Sequence, residues 1–447
     1  MRIKWFFVAI VAVALPAIGQ ESAYSILSPS QRVATFTATT FLPNRFVAIG
    51  TVNPNLSLNF SAGELFKGDP TTNIRNLVRS RLYLGLESEV DVEVFSVLWK
   101  NKKGVRTALG LNAGSMIQVS LDRDFLGIAT EGILPDGFGQ EVVNSKGISV
   151  NAHVFSEIYL HKVRSFGRSN FGYRVRLVSP IAGVQVSTPE LELRRINSGV
   201  DNEIALNYEF TTAFYGVDSN NITSFEPRLS MLFSKHTSLL FDFGIEQELN
   251  PKLKVGLSVQ NLPGQVRVSG IESTSYSGSI AYSGPQFTLG QDSLNSIFNE
   301  LVQFNVDSLL PKVTKNVDAS IQIPFKPVVR LYTHRYMGED RILALSTTIC
   351  PSAYGNDLRT SAYMYSRSNK LFHLAYGLNW WTNNNSFDAT IAGRILLAPY
   401  TRLTIGMSNP FLLPRFVKNA TILIPENLRG FSLSVGISLG LYRNERL

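Results

Sequence analysis

The chain has 447 residues, of which 17% are charged and 44% hydrophobic, with a formal net charge of +8. The charged share falls below the roughly 25% of ordinary soluble domains, yet the mean hydropathy of +0.06 is too low for a bundle of membrane helices. The single Cys excludes a disulfide framework and any multi-cysteine metal centre, and five His leave little for a histidine-rich one.

The first nineteen residues read as a signal peptide. Arg2 and Lys4 form a basic start, Trp5 to Leu15 an apolar core, and Ala17-Ile18-Gly19 a small-x-small cleavage site, so the mature chain is expected to begin at Gln20. Beyond it no apolar run approaches the 18 or more residues of a spanning helix. No Lys/Arg-rich block argues for a nucleic-acid partner.

Residues 20–45 are mixed in character, with Pro29 and Pro43, and are expected to form a short plug or hook. The rest alternates with a period of two, the mark of strands with two unlike faces. Leu82, Leu84, Leu86, Val90, Val92 and Val94 alternate with Tyr83, Gly85, Glu87, Glu89, Asp91 and Glu93. After the turn Asn101 to Gly104, Val105, Leu109, Leu111, Ala113, Ile117, Val119 and Leu121 alternate with Arg106, Gly110, Asn112, Gly114 and Gln118. Ile148 to His161, Phe171 to Leu177 and Leu239 to Glu246 repeat the pattern. A tight Asn250-Pro251 turn leads to Leu253, Val255, Leu257 and Val259. Within 287–312, Leu294, Ile297, Phe298 and Leu301 have helical spacing instead, and a loop helix is expected there. The last strand is the most regular, with Phe431, Leu433, Val435, Ile437, Leu439 and Leu441 separated by Ser and Gly.

Strands of this length exceed the roughly 5 to 6 residues usual in soluble sheets. Exported to an outer membrane, such strands would turn their apolar faces to lipid and their polar faces to a lumen. In lipid every backbone group must pair, which requires closure. The expected fold is therefore all-β: a single transmembrane antiparallel β-barrel over residues 46–447. At roughly 30 residues per strand and connection the count is about 14, within 12 to 16.

Three stretches carry a family resemblance: FLPNRFVAIGTVNPNLSLNFS (41–61), FGYRVRLVSPIAGVQVSTPELEL (171–193) and LLFDFGIEQELNPKLKVGLSVQNLPGQVRV (239–268). The most specific is the hairpin in which Asp-Phe-Gly-Ile-Glu precedes an Asn-Pro turn and a strand ending Ser-Val-Gln-Asn-Leu-Pro-Gly. The order and the motifs resemble a family of outer-membrane barrels of Bacteroidota grouped with the FadL-like barrels. The resemblance implies a barrel set in outer-membrane lipid that binds or passes small hydrophobic molecules. The alternative is a non-conducting structural or docking barrel with an envelope protein partner, as in a secretion or gliding assembly.

Candidate sites are few. Gly436 to Gly440 matches G-x-S-x-G, but a nucleophile elbow needs a strand, a sharp turn and a helix, and here the match lies inside a uniform strand. His153, Glu157 and His161 share a face but spread over about 26 Å, too far to hold one metal. No P-loop, G-x-G-x-x-G or H-E-x-x-H occurs, so neither an enzyme nor a cofactor or metal is expected. The charged candidates are the acidic ladder Glu87, Glu89, Asp91 and Glu93 and the basic positions Arg106, Arg174 and Arg176. All are expected to face the lumen, where opposed rows can pair or polarise a channel. Trp380, Trp381, Tyr400 and Phe411 fit an interfacial girdle.

Overall fold

The computed structural model describes residues 45–58, 83–101, 105–122, 124, 142–145, 147–197, 202–216, 236–282, 312–338, 341–352, 355–367, 372–381, 386–398, 401–408 and 430–440. Nearly all of them are strand. The first six strands are β1 (Arg45–Leu58), β2 (Tyr83–Lys100), β3 (Arg106–Asp122), β4 (Val142–Ser145), β5 (Ile148–Phe166) and β6 (Ser169–Asn197). There follow β7 (Asn202–Tyr215), β8 (Ser238–Asn250), β9 (Leu253–Leu262), β10 (Gln265–Tyr282), β11 (Lys312–Pro324) and β12 (Val328–Tyr336). The last six are β13 (Arg341–Ser352), β14 (Gly355–Arg367), β15 (Phe372–Trp381), β16 (Ser386–Ala398), β17 (Thr401–Ser408) and β18 (Gly430–Gly440). The expected signal peptide, plug and loop helix lie outside the described residues, apart from Arg45 and Lys312, which already begin β1 and β11.

Pairing closes the sheet. From β1 the antiparallel neighbours run β2, β3, β5, β6, β8 and β9. They continue through β12, β13, β14, β15, β16, β17 and β18. Strand β18 then pairs with β1, Ile49 opposite Ile437. The ring has fourteen strands, the number expected from chain length. The other four make a wing above β6, whose 29 residues outrun the wall. Its far half pairs with β4 on one side and β7 on the other, β7 with β10, and β10 with β11.

Alternation sorts the ring's two faces. Leu331, at 60% exposure, precedes Tyr332 at 6%, and Leu378 at 58% precedes Asn379 at 0%. Leu239, Phe243, Ile245, Leu257, Leu345, Ile391, Ile405 and Ile437 are likewise exposed. A closed sheet with large apolar side chains outside and polar ones inside is a transmembrane barrel.

Within β2 the simple alternation is corrected. A β-bulge between Glu93 and Phe95 inserts a residue, and the phase shifts. Val94 and Phe95 are both exposed, and beyond them Trp99 points outward in the odd phase.

Strands β10 and β11 leave the wall. Asn261, with φ of 63°, bends the end of β9 just before the turn into β10. Asn tolerates this left-handed conformation better than other non-glycine residues. On the neighbouring strand the departure falls between β11 and β12, at Phe325 to Pro327. The Phe325 ring meets the Phe155 ring edge-on at 5.0 Å. In the ring β5 and β12 are separated by β6, β8 and β9, about 19 Å along the wall at 4.8 Å per strand. The base of the β10–β11 hairpin therefore crosses the interior.

Candidate lumenal site

The inner face carries a belt of hydrogen-bonded charge across five neighbouring strands. On β3, Asn112 Nδ2 donates to Glu157 Oε1 at 3.4 Å. On β6, Arg176 donates from Nη1 to Glu157 Oε2 at 3.1 Å and from Nη2 to Asp242 Oδ1 at 2.9 Å. Arg174 stands opposite Asp242 in register and donates from Nε to Oδ2 at 2.6 Å. Asp242 also accepts from the Asn261 backbone N–H at 2.8 Å. Glu157 and Arg176 are fully buried, and Asp242 and Arg174 nearly so. Isolated charges in such a setting would cost several kcal/mol each, about the scale set by desolvation. Each is met here by an opposite charge and by further donors or acceptors.

Asn261 joins the belt to the bend. Its Oδ1 accepts from Arg176 Nη2, and its Nδ2 donates to the carbonyl of Lys326 at 2.7 Å. The residue that bends the end of β9 thus holds the segment between β11 and β12 to the charged belt.

Beside the belt is an apolar layer. Phe155, Val178 and Leu240 of the wall pack against Val266, Val268, Ile271, Ile321, Ile323 and Phe325, with Ala213 and Tyr215 of β7. Met116 and Ala319 pack on its margin. Gly114 lies opposite Phe155 on β3, and a Cβ there would stand 2.4 Å from the ring. The glycine lets the aromatic ring lie flat over the sheet.

A second polar cluster lies nearer the rim of short turns. Glu246 Oε1 accepts from Asn170 Nδ2 at 2.9 Å and lies 3.8 Å from Lys254 Nζ. Glu246 Oε2 is 3.9 Å from His334 Nδ1, whose ring lies 4.9 Å from that of Tyr332.

The expected site residues fall as follows. Arg174 and Arg176 are in the belt. Arg106 is opposite Val163 of the inner face and is half-buried. In register Glu89 pairs with Met116 and Asp91 with Gly114. Directly opposed residues share a face, so both carboxylates are on the inner side. Glu87 pairs with Gln118 and Glu93 with Asn112, and their side chains lie outside the described residues. Glu157, weighed in the sequence only beside His153 and His161 as a metal ligand, joins the belt, and Asp242, Glu246 and Asn261 complete the site without having been singled out. Glu157, Asp242 and Glu246 stand on the polar phase of alternating strands, a signal that identifies the face but not the partner. His153 meets Tyr215 Oη at 3.3 Å. Among the described residues no three His, Cys, Asp or Glu side chains gather as a metal site. Ser438 lies within β18, without the turn and helix of an elbow. Trp380 is on the exposed face, as a girdle residue would be. The side chain of Trp381 and all of Tyr400 and Phe411 are outside the described residues.

A family of unknown function, DUF5723, matches residues 39–376. The chain belongs to this family. No curated protein matches the chain. Among solved structures it is similar to a FadL homologue of Pseudomonas aeruginosa, 10% identical over 94% of this chain and 96% of that one, with a TM-score of 0.48. It is also similar to the toluene transporter TodX of Pseudomonas putida, 11% identical over 95% and 98%, with a TM-score of 0.44. The Ralstonia pickettii toluene transporter TbuX is 6% identical over 96% and 95%, with a TM-score of 0.42.

Proposed function

We propose that this DUF5723 protein is an outer-membrane β-barrel that binds and passes small hydrophobic molecules. One observation carries the reading: the apolar layer inside the barrel, where Phe155, Val178 and Leu240 meet the bent β10–β11 hairpin. A barrel for ions or sugars needs a wet polar lumen. Here a guest that shifts the hairpin trades one apolar contact for another. Arg174 and Arg176, with Glu157 and Asp242, hold the wall beside that layer, and Glu89 and Asp91 add to the polarity of the inner face.

The test is uptake of labelled toluene by cells with an intact lipopolysaccharide layer, with and without the full chain. Uptake several-fold faster with the protein, abolished by Leu240→Asp in a variant that still assembles, is the expected result. Equal uptake with and without the protein overturns the reading.

The fully buried pair Glu157–Arg176 favours a second reading, a sealed barrel that acts as a structural or docking subunit for an envelope protein. Under that reading toluene uptake is unchanged, and the barrel co-purifies with a partner protein.

A further inference from the structure

One rim of the barrel carries long connections as well as the short β13–β14 and β15–β16 turns, whereas at the other every connection is short, two to five residues. This second rim is where β1 begins and β18 ends, and where β2–β3, β5–β6, β8–β9, β12–β13, β14–β15 and β16–β17 are joined. In bacterial barrels short turns face the periplasm. Charge is concentrated there. The turns and the four residues on each side of them span 45–48, 97–109, 163–172, 247–256, 333–344, 364–375, 395–404 and 437–440. Their described residues hold eleven Lys or Arg against one Asp or Glu, a net of +10, whereas the whole chain nets +8. The rim is therefore basic and the remainder of the protein is slightly acidic.

Among the described residues Arg164, Arg168, Lys252, Arg335 and Arg341 of this rim are exposed, and none of them joins an ion pair. Large apolar side chains stand out beside them. Phe166 is 54% exposed, Leu249 52% and Met337 53%. The Arg164 guanidinium lies over the Phe166 ring at 4.6 Å. Apolar groups next to unpaired cations suit the boundary between acyl chains and phosphates, where each cation near an anionic surface adds to the attraction and long basic side chains reach to the headgroup level.

From this juxtaposition we infer that the short-turn rim is a collar that binds the phosphodiester headgroups of anionic phospholipids in the leaflet it meets. The inference rests on the membrane-spanning fold and not on what the lumen carries. Arg164 precedes one turn and Arg168 lies in it, Lys252 lies in the next, and Arg335 and Arg341 flank the third, so neighbouring headgroups can be held around an arc of the wall.

The full chain is purified in micelles containing equal phosphatidylglycerol and phosphatidylcholine, and the retained lipids are counted by native mass spectrometry. Phosphatidylglycerol is expected to be retained at least about fivefold over phosphatidylcholine, the effect of neutralising even one cation at such a surface. The preference should be lost in R164Q/R168Q/K252Q/R335Q and in high salt. It should be kept in R267Q/K315Q, which removes two exposed cations from the wing. Retained heat-modifiability on a gel confirms that each variant is folded. Equal retention of the two lipids, or a preference unchanged in the fourfold variant, overturns the inference. Competition by inorganic phosphate at millimolar concentration would move the site from lipid to free phosphate and overturn it as well. Because lipid counting does not involve an apolar guest, failure here leaves the toluene experiment unaffected, and the converse holds.

Discussion

Arg176 of β6 and Glu157 of β5 form an ion pair at 3.1 Å in which neither side chain reaches solvent. Arg176 also serves Asp242 of β8 and Asn261 of the bend. Removing one member of a buried pair leaves the other charge uncompensated, at about 3 to 5 kcal/mol. Arg176→Ala is expected to lower barrel stability by that order, read as a lower urea midpoint for unfolding from lipid vesicles. Replacing the pair with apolar groups of similar volume is often close to neutral. R176M/E157L should therefore be closer to the native protein than Arg176→Ala, with Asp242 still held by Arg174. A double variant no more stable than the single one would show that the pair does more than fill the wall.

The Phe155–Phe325 contact tests whether the hairpin is the stopper of the lumen. Phe325 is almost fully buried and meets Phe155 edge-on. Phe325→Ala removes the ring at a cost of about 3 to 5 kcal/mol of packing and cavity. In planar bilayers the variant is expected to show ion current steps larger than those of the native protein. Unchanged current, in a variant that remains folded, would place the seal elsewhere.

The outward face makes a quantitative claim about lipid. Ile391 is exposed near the middle of β16, between the buried inner residues Thr390 and Ala392. If that face meets hydrocarbon, Ile391→Arg costs roughly 2 to 4 kcal/mol, the penalty for a charge near the midplane of a membrane barrel. Folding into vesicles, followed by the mobility shift of the heat-resistant form, measures it. A penalty below about 1 kcal/mol would mean that position 391 stands at the interface rather than in the hydrocarbon.

The alternation that identified the strands was legible because lipid and lumen impose opposite chemistry on successive residues. The ring size matched the chain-length count, although that count did not foresee the four strands of the wing. The phase change at Glu93 was not legible. A bulge adds one residue without any residue type that marks it, and Val94 continues the apolar series as well outside the bulge as within it. The bend at Asn261 was visible only as the end of a strand, Gln-Asn-Leu-Pro-Gly. That the chain then turns inward depends on Phe155, more than 100 residues earlier. Arg174 and Arg176 could be read as inner-face cations, but their partners could not. Asp242 becomes the partner of Arg174 only through the β6–β8 register, and that pairing skips β7 because β6 is long enough to serve two neighbours on one edge. The wing was unreadable for the same reason: its strands alternate like those of the ring.

Gly377 of β15 provides a backbone-level test of the register on the far wall. It lies opposite Tyr363, and a Cβ there would stand 2.3 Å from both the Ala362 carbonyl oxygen and Tyr363 Cδ1. The tyrosine could rotate away, but only by giving up its hydrogen bond to Asn379, which in turn donates to Thr390 at 3.0 Å. The carbonyl cannot rotate without loosening the β14–β15 ladder. Gly377→Ala is therefore expected to destabilise the barrel by about 1 to 3 kcal/mol, the range for overpacking a filled site. Adding Tyr363→Ala to it should recover little, because the backbone contact with Ala362 remains. Urea unfolding of the two variants in vesicles separates the contributions. Full recovery in the double variant would show that the ring alone was the obstacle and that the backbone has room to move.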